Sequence, residues 1–165
     1  MVTIQQSSPK KAINVAKYFI KKNTEDGKGL DKLKLQKLLY YAQAWNLVLN
    51  KEPLFSERIE AWVHGPVVPE VYQEFKNFDF INLKEGFITE SDLNQFSKEE
   101  KNVLDNVWEL YGKYDGPYLE FLTHNESPWQ EARNELSSDK PSRATISLES
   151  MMDYYSKKLH DSKAI

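Results

Sequence analysis

The 165-residue sequence contains no cysteine, which excludes disulfide bonds, iron–sulfur clusters, thiolate zinc sites and a cysteine nucleophile. It also lacks any apolar run of about 18 residues, the length that a membrane-spanning helix requires. No secretory signal is recognisable in the first residues. Only six glycines and seven prolines are present, so long disordered linkers are not expected. These absences predict one cytoplasmic domain, residues 1–165, that does not enter a membrane.

Aromatic residues, by contrast, are abundant: the chain has four Trp, nine Tyr and eight Phe. Such side chains bury large areas and are enriched in cores and at protein interfaces. Most of them are expected in the core. A domain of this size buries only part of such a set, so we expect some to face a partner.

Charge is unevenly distributed along the chain. Residues 1–40 hold nine lysines against three acids, whereas residues 85–135 hold twelve acids against four basic residues. The two segments could steer a charged partner, face each other within the fold, or be solvated helix faces, and the last is the preferred interpretation. Only three arginines are present and the net charge is -3, which argues against nucleic-acid binding. The early lysines interpreted as a solvated face are Lys10, Lys17, Lys21, Lys28, Lys32, Lys34 and Lys37.

The apolar periodicity is mostly helical. A central helix is predicted after Asp31, with an apolar stripe that runs from Leu35 to Leu49. Capping residues predict where the helices begin. The predicted starts are Ser8–Pro9, Asp31, Ser97 with Glu100, Asp115–Gly116–Pro117, Ser127–Pro128 and Ser147.

Two segments have the pattern of short strands. Ile59, Ala61 and Val63 alternate with Glu60, Trp62 and His64, which is the pattern of a short half-buried strand. Gly65–Pro66 is expected to end this strand. Pro66 and Pro69 are expected to begin the next helix, and residues 78–88 to form a second extended region. The predicted fold class is therefore mainly α (α+β): a compact helical domain of about six helices with a small two- to three-stranded β element.

The residues offer little catalytic chemistry. Among the three histidines, His64 and His124 could both lie near helix N-termini, yet no H-x-x-x-H or H-E-x-x-H spacing is present. His124, Glu126 and Ser127 include the residue types of a hydrolytic triad, but triad members normally converge from separate elements. Glycine-rich phosphate loops are also missing. We therefore expect no enzyme, no metal and no cofactor.

Three segments of the chain, taken together, resemble a known domain. They are LKLQKLLYYAQAW at 33–45, EAWVHGPVVPEVY at 60–72 and FLTHNESPWQEAR at 121–133. In order and spacing they resemble the Panacea, or SocA-like, antitoxin domain, also described as a phage-associated protein domain. The resemblance covers about residues 9–159 and implies the antitoxin of a type II toxin–antitoxin system. Such a protein neutralises a cognate toxin, usually encoded beside it, by direct binding.

Within this resemblance, two groups of residues are assigned. The expected structural residues, with glycine at a sharp turn, prolines beginning helices and tryptophans filling the join between helix and strand, are Trp45, Gly65, Pro66, Ser127, Pro128 and Trp129. The expected toxin-binding residues, with the two aromatics as anchors, are Trp62, His64, Tyr72 and His124.

Three other functions stay open at this stage. The resemblance implies that the chain could act as a proteolytic adaptor, because one family member delivers its toxin to the ClpXP protease. A metal-dependent hydrolase using His64 and His124 is a second alternative. A third is DNA binding through the lysine-rich first helices, which predicts steep salt dependence.

Overall fold

The first two helices are separated by residues 27–31, and the second begins where the local sequence predicts. In the computed structural model, which describes residues 11–163, α1 spans Ala12–Asp26 and ends at Gly27, whose φ of 67° is left-handed. Helix α2 spans Lys32–Asn50, and the Asp31 carboxylate accepts a hydrogen bond from the Lys34 backbone N–H, which confirms the predicted cap. The predicted Ser8–Pro9 start lies outside the described residues.

Helix α2 is the centre of the core. It packs against α1 and against four later helices, and it is buried along most of its length. The predicted apolar stripe is confirmed at Leu35, whereas Leu49 at its far end is 47% exposed. The burial also includes polar side chains, which periodicity alone does not predict. Those on α2 are Lys34, Gln36, Lys37, Gln43 and Asn46.

A three-stranded antiparallel sheet packs beside α2. Its strands are β1 (Ile59–Trp62), β2 (Gly65–Val67) and β3 (Thr145–Ile146), in the order β2-β1-β3. Trp62 pairs with Gly65 and Ile59 with Ile146. The expectation that Gly65–Pro66 ends a strand and Pro66 begins a helix is therefore wrong. Both residues belong to β2, which lies at the sheet edge, where a proline can be accommodated.

Residues 78–88 contain no strand, which corrects the second extended region predicted there. The Asp79 carboxylate accepts hydrogen bonds from the backbone N–H groups of Ile81 and Asn82, so the chain turns at this point. The rings of Phe78 and Phe87 pack against each other at a tilt of 37°, with centroids 4.9 Å apart. Their aromatic side chains form a local cluster and do not alternate across a sheet.

Six further helices complete the described part of the chain. Ser97 and Glu100 form the predicted capping box, Asp115 caps the next helix, and the Ser147 hydroxyl accepts a hydrogen bond from the Ser150 N–H at 3.0 Å. Residues 11–163 thus hold eight helices, more than the about six expected, and the four-residue α4 was not predicted; the α+β class is confirmed. The remaining helices are α3 (Pro69–Phe75), α4 (Glu90–Leu93), α5 (Lys98–Tyr111), α6 (Gly116–His124), α7 (Ser127–Arg133) and α8 (Leu148–Lys163).

Helix α7 begins differently from the prediction. Its N-cap residue is Glu126, and Ser127 is the first helical residue, followed by Pro128, so Ser127 is not the cap. Glu126 does not cap with its side chain either, because its carboxylate is buried among tyrosines.

The basic and acidic segments face each other in part. Lys17 on α1 pairs with Asp92 on α4 at 3.5 Å, and Lys22 pairs with Asp105 on α5 at 3.2 Å. Exposed pairs of this kind contribute about 0–1 kcal/mol each. Within residues 11–163, no helix has the length and apolar character needed to cross a membrane.

Candidate functional site

The β1–β2 hairpin is pressed closely against the helices. Gly65, the first residue of β2, has a φ of 102°, which L side chains rarely adopt. A Cβ placed there would lie 2.7 Å from Cε of Lys37 and 2.9 Å from Oγ1 of Thr123. Gly65 therefore allows both the turn and the close approach of the hairpin to α2 and α6.

Lys37 lies directly beneath this turn. Its side chain is 0% exposed, and its Nζ donates a hydrogen bond to the Pro66 carbonyl oxygen at 3.2 Å. Burial lowers the pKa of Lys37 to about 7, and the more distant Glu120 and Asp31 oppose this shift only in part. The amine is therefore partly neutral near physiological pH.

Lys34, one turn earlier on α2, is also buried and donates to the carbonyl oxygens of Gly29 and Gly112, at 2.6 Å and 2.5 Å. The interpretation of the early lysines as a solvated face is wrong for Lys34 and Lys37. Both are inward-facing donors that hold backbone carbonyls.

The two histidines of interest meet at one carboxylate. Nδ1 of His64 lies 2.8 Å from Oε1 of Glu120, and Nε2 of His124 lies 3.9 Å from the same oxygen. His64 is exposed, whereas His124 is half-buried and stacks on Trp129 with centroids 4.1 Å apart. Burial lowers the pKa of His124, so its neutral form is favoured.

Metal ligands do not converge here. In the part of the chain that the structure describes, no three His, Asp or Glu side chains are grouped so that they could hold a metal ion.

The two predicted aromatic anchors touch each other. The rings of Trp62 and Tyr72 form an edge-to-face pair with centroids 5.2 Å apart, and both are half-buried. The indole N–H of Trp62 donates to Oε1 of Glu60 at 2.9 Å, and the Arg143 guanidinium lies 5.8 Å from the Trp62 ring. These contacts hold the indole in one orientation.

Trp62 and His64 also line a shared cleft of about 230 Å³ with Arg143. The structure therefore brings all four predicted binding residues to one continuous surface around the hairpin. We call it the hairpin face, and its residues are Trp62, His64, Tyr72, Glu120, His124 and Arg143.

Helix α7 supports this surface from behind. The indole N–H of Trp129 donates to the Trp62 carbonyl oxygen at 2.8 Å, and Arg133 donates to the Ala61 carbonyl oxygen at 2.9 Å. The Arg133 guanidinium also lies over the Trp129 ring at 4.7 Å. Trp129 thus lies at a join between helix and strand, and Pro128, in the first turn of the same helix, is buried beside it.

Trp45 lies elsewhere, which corrects its expected place between helix and strand. Its indole N–H donates to the Tyr111 hydroxyl at 3.0 Å, and its ring packs edge to face on Tyr155 at 5.0 Å. Trp45 therefore joins helices α2, α5 and α8.

Comparison with known protein families assigns the chain to one of them. A family model described as "Antitoxin SocA-like, Panacea domain" matches residues 35–130, more than half of the chain. The chain belongs to the SocA-like antitoxin family. No curated protein and no solved structure matches it.

The matched Panacea region runs from the first turns of α2 into α7. It includes the whole hairpin face except Arg143. Helix α1, strand β3 and helix α8 lie outside the match, so these elements complete the core around the Panacea region in this chain.

Sequence reasoning missed a buried carboxylate. The Glu126 side chain accepts hydrogen bonds from the hydroxyls of Tyr40 at 2.9 Å, Tyr41 at 3.1 Å and Tyr155 at 2.5 Å. Burial raises the pKa of Glu126, while these donors favour its ionised form. Because its oxygens are engaged by the phenols, Glu126 is not available to orient His124, and no His124–Glu126–Ser127 triad forms. The adjacent Tyr40–Tyr41 pair was the one signal in the sequence.

A separate apolar groove of about 500 Å³ lies between α2, α5 and α8. Its rim carries Leu49 and Leu110, which are 47% and 55% exposed, and Trp45 and Leu159 line it. The periodicity of α2 and α5 predicted apolar faces here but not that α8 would leave a gap between them.

Proposed function

We propose that this chain is the antitoxin of a type II toxin–antitoxin system and neutralises a cognate protein toxin by direct binding. Membership of the SocA-like antitoxin family supports the role. The geometry of the hairpin face supports the proposal that the toxin binds there. There, two half-exposed aromatic rings are held by a hydrogen bond, by a cation–π contact and by each other. Rigid aromatic side chains at the centre of an interface typically supply most of the binding energy.

We propose no catalytic step for this chain. Both histidines of the hairpin face approach Glu120, and Glu126 is held by three phenols. These groups support a surface and are not arranged as a nucleophile with its base. The complex is proposed to form in the cytoplasm, where a cysteine-free chain needs no oxidising conditions.

The test is co-expression with the product of the adjacent reading frame, which the wild-type chain is expected to neutralise. Replacing Trp62→Ala and Tyr72→Ala together is expected to abolish rescue of growth, because each anchor of this type contributes about 2 kcal/mol or more. The fold should survive, since the Trp129 bond is to the backbone of Trp62 and Glu60 keeps its ion pair with Arg58 at 3.2 Å.

Thermal unfolding of the purified double variant verifies that it is folded. The control replaces Leu49→Ala and Leu110→Ala on the apolar groove, which removes two apolar side chains, both more exposed than Trp62 and Tyr72, from another surface. Rescue by the Trp62/Tyr72 variant, or its loss only in the groove variant, would remove the hairpin face from the proposal. A harmless neighbouring gene product that never associates would remove the antitoxin role itself.

The half-life of the toxin separates occlusion from delivery to a protease. Direct neutralisation predicts that the toxin persists in the complex, with an unchanged half-life in cells. A half-life that shortens only when this chain and an ATP-dependent protease are both present would instead identify a proteolytic adaptor.

A further inference from the structure

Helix α6 leaves an aromatic surface uncovered. Its inward side is Gly116, Leu119 and Thr123, which are buried. On its outward side, Tyr118 is 43% exposed and Phe121 is 61% exposed. Two large apolar rings exposed on the same side of one helix form a patch rather than isolated exposed residues.

These two exposed rings lie in a row with the partly buried ring of Tyr114. Tyr114 and Tyr118 have ring centroids 4.6 Å apart, and Tyr118 and Phe121 have centroids 6.3 Å apart. We call Tyr114, Tyr118 and Phe121 the aromatic ridge. Single exposed hydrophobic residues are ordinary on protein surfaces, whereas a run of three touching rings is typical of a binding surface.

The ring faces already attract one cation. Nζ of Lys113 lies 5.2 Å from the centre of the Tyr114 ring. Aromatic faces carry partial negative charge, so the exposed rings of Tyr118 and Phe121 can attract further cations.

The exposed charges of α6 and α7 beside the aromatic ridge are mostly acidic, whereas Lys28 and Lys113 line a pocket with Tyr114 and Asp115 at one end of it. Between Asp115 and Glu135 the surface carboxylates are Asp115, Glu120, Glu131 and Glu135. The one Lys or Arg in this stretch is Arg133, which is 4% exposed and donates to backbone carbonyl oxygens. The outer surfaces of α6 and α7 are thus negative, which favours a positively charged partner.

The aromatic ridge is also continuous with the hairpin face. Glu120, which contacts His64, is the residue before Phe121 on the same helix. A partner seated on the hairpin face reaches the ridge by crossing one side of α6. Such an extension is consistent with the roughly 800 Å² per partner that a stable interface buries.

We propose that the aromatic ridge binds a basic segment of the toxin, with arginine or lysine side chains over the rings of Tyr118 and Phe121 and paired with the neighbouring carboxylates. Arginine suits this arrangement because its planar guanidinium stacks on aromatic rings while it bonds to carboxylates. This inference rests on the proposed function and names the chemistry of the partner at one part of the interface.

The test compares two substitutions at one exposed position. Phe121→Glu and Phe121→Lys both remove the ring and both suit a helix surface, so they differ chiefly in charge. Affinity for the purified product of the adjacent reading frame is measured by calorimetry at low and at physiological salt. We expect Phe121→Glu to weaken binding about tenfold and Phe121→Lys to weaken it by roughly a further tenfold or more, with the gap shrinking as salt is added.

Ile81→Lys is the control, because Ile81 is 89% exposed and lies on the segment between α3 and α4. It should bind like the wild-type chain. Equal affinities for Phe121→Glu and Phe121→Lys, or wild-type binding by both, would overturn the inference while the antitoxin role stands. Failure of the wild-type chain to bind would overturn the proposed function and this inference with it.

Discussion

Substitution of Gly65 is the most direct test of how the hairpin is held. Gly65→Ala places an L side chain at a φ of 102°, where the backbone strain costs about 1–2 kcal/mol. The new Cβ also falls 2.7 Å from Cε of Lys37 and 2.9 Å from Oγ1 of Thr123. Neither neighbour moves freely, since both are fully buried, and overpacking of this kind costs about 1–3 kcal/mol.

The expected loss in the free energy of unfolding is therefore about 2–5 kcal/mol, a large part of the roughly 5–15 kcal/mol that stabilises an ordinary protein. For a chain of this size the melting temperature should fall by about 2–4 °C per kcal/mol. Urea denaturation followed by circular dichroism measures the difference, provided that the slope of the transition is unchanged.

Gly29→Ala separates the two contributions. Gly29 has a nearly equal φ of 96°, and nothing lies within 4 Å of a Cβ placed there. This control should therefore lose only the backbone term of about 1–2 kcal/mol. Similar losses for Gly65→Ala and Gly29→Ala would refute the close approach of the hairpin to Lys37 and Thr123.

Two further predictions concern the buried ionisable groups. Burial lowers the pKa of Lys37 from 10.5 to about 7 on folding. The free energy of unfolding of the wild-type chain, relative to that of Lys37→Met, should therefore rise with pH between about 7 and 10.5. Below pH 7 this difference should stay level. The rise should reach roughly 2–3 kcal/mol by about pH 9, and parallel pH profiles would contradict it. Tyr155→Phe removes one donor to Glu126 and should cost about 1.5–3 kcal/mol at neutral pH, and less in acid, where the carboxylate is protonated. Tyr154→Phe, whose hydroxyl has no hydrogen bond among the described residues, should cost little, and equal losses for the two variants would refute the role of Tyr155.

Much of the helical framework could be predicted from the sequence. The starts at Asp31, Ser97, Asp115 and Ser147 are all confirmed, because a cap depends on groups within three or four residues of one another. The prediction was wrong at Ser127, where the preceding Glu126 is drawn into the core by tyrosines from α2 and α8.

The sequence predicted a small β element and its strand β1, but not strands β2 and β3. Strand β1 was found from its alternation, whereas β3 has only two residues and exists because it pairs with Ile59 and Glu60. Short strands carry too little periodicity to be recognised without their partner.

In the candidate site, too, the sequence and the tertiary packing supplied different information. Residue types and motif order led to the prediction that Trp62, His64, Tyr72 and His124 bind the toxin, and this stays a prediction; all four lie within the family match. The sequence did not indicate that Glu120 would contact His64, because that contact depends on how α6 packs against the hairpin, whereas Glu120 and His124 are four residues apart on α6 itself.

By itself, then, the sequence determined most of the helices, the caps at Asp31, Ser97, Asp115 and Ser147, and the family, because these depend on neighbouring residues and on the order of motifs. Tertiary structure alone decided that Lys37 and Glu126 would be buried, and that Tyr118 and Phe121 would stay uncovered. Burial is a property of what the rest of the chain brings against a side chain. On two equally regular helices, a lysine can therefore be buried while a phenylalanine is exposed.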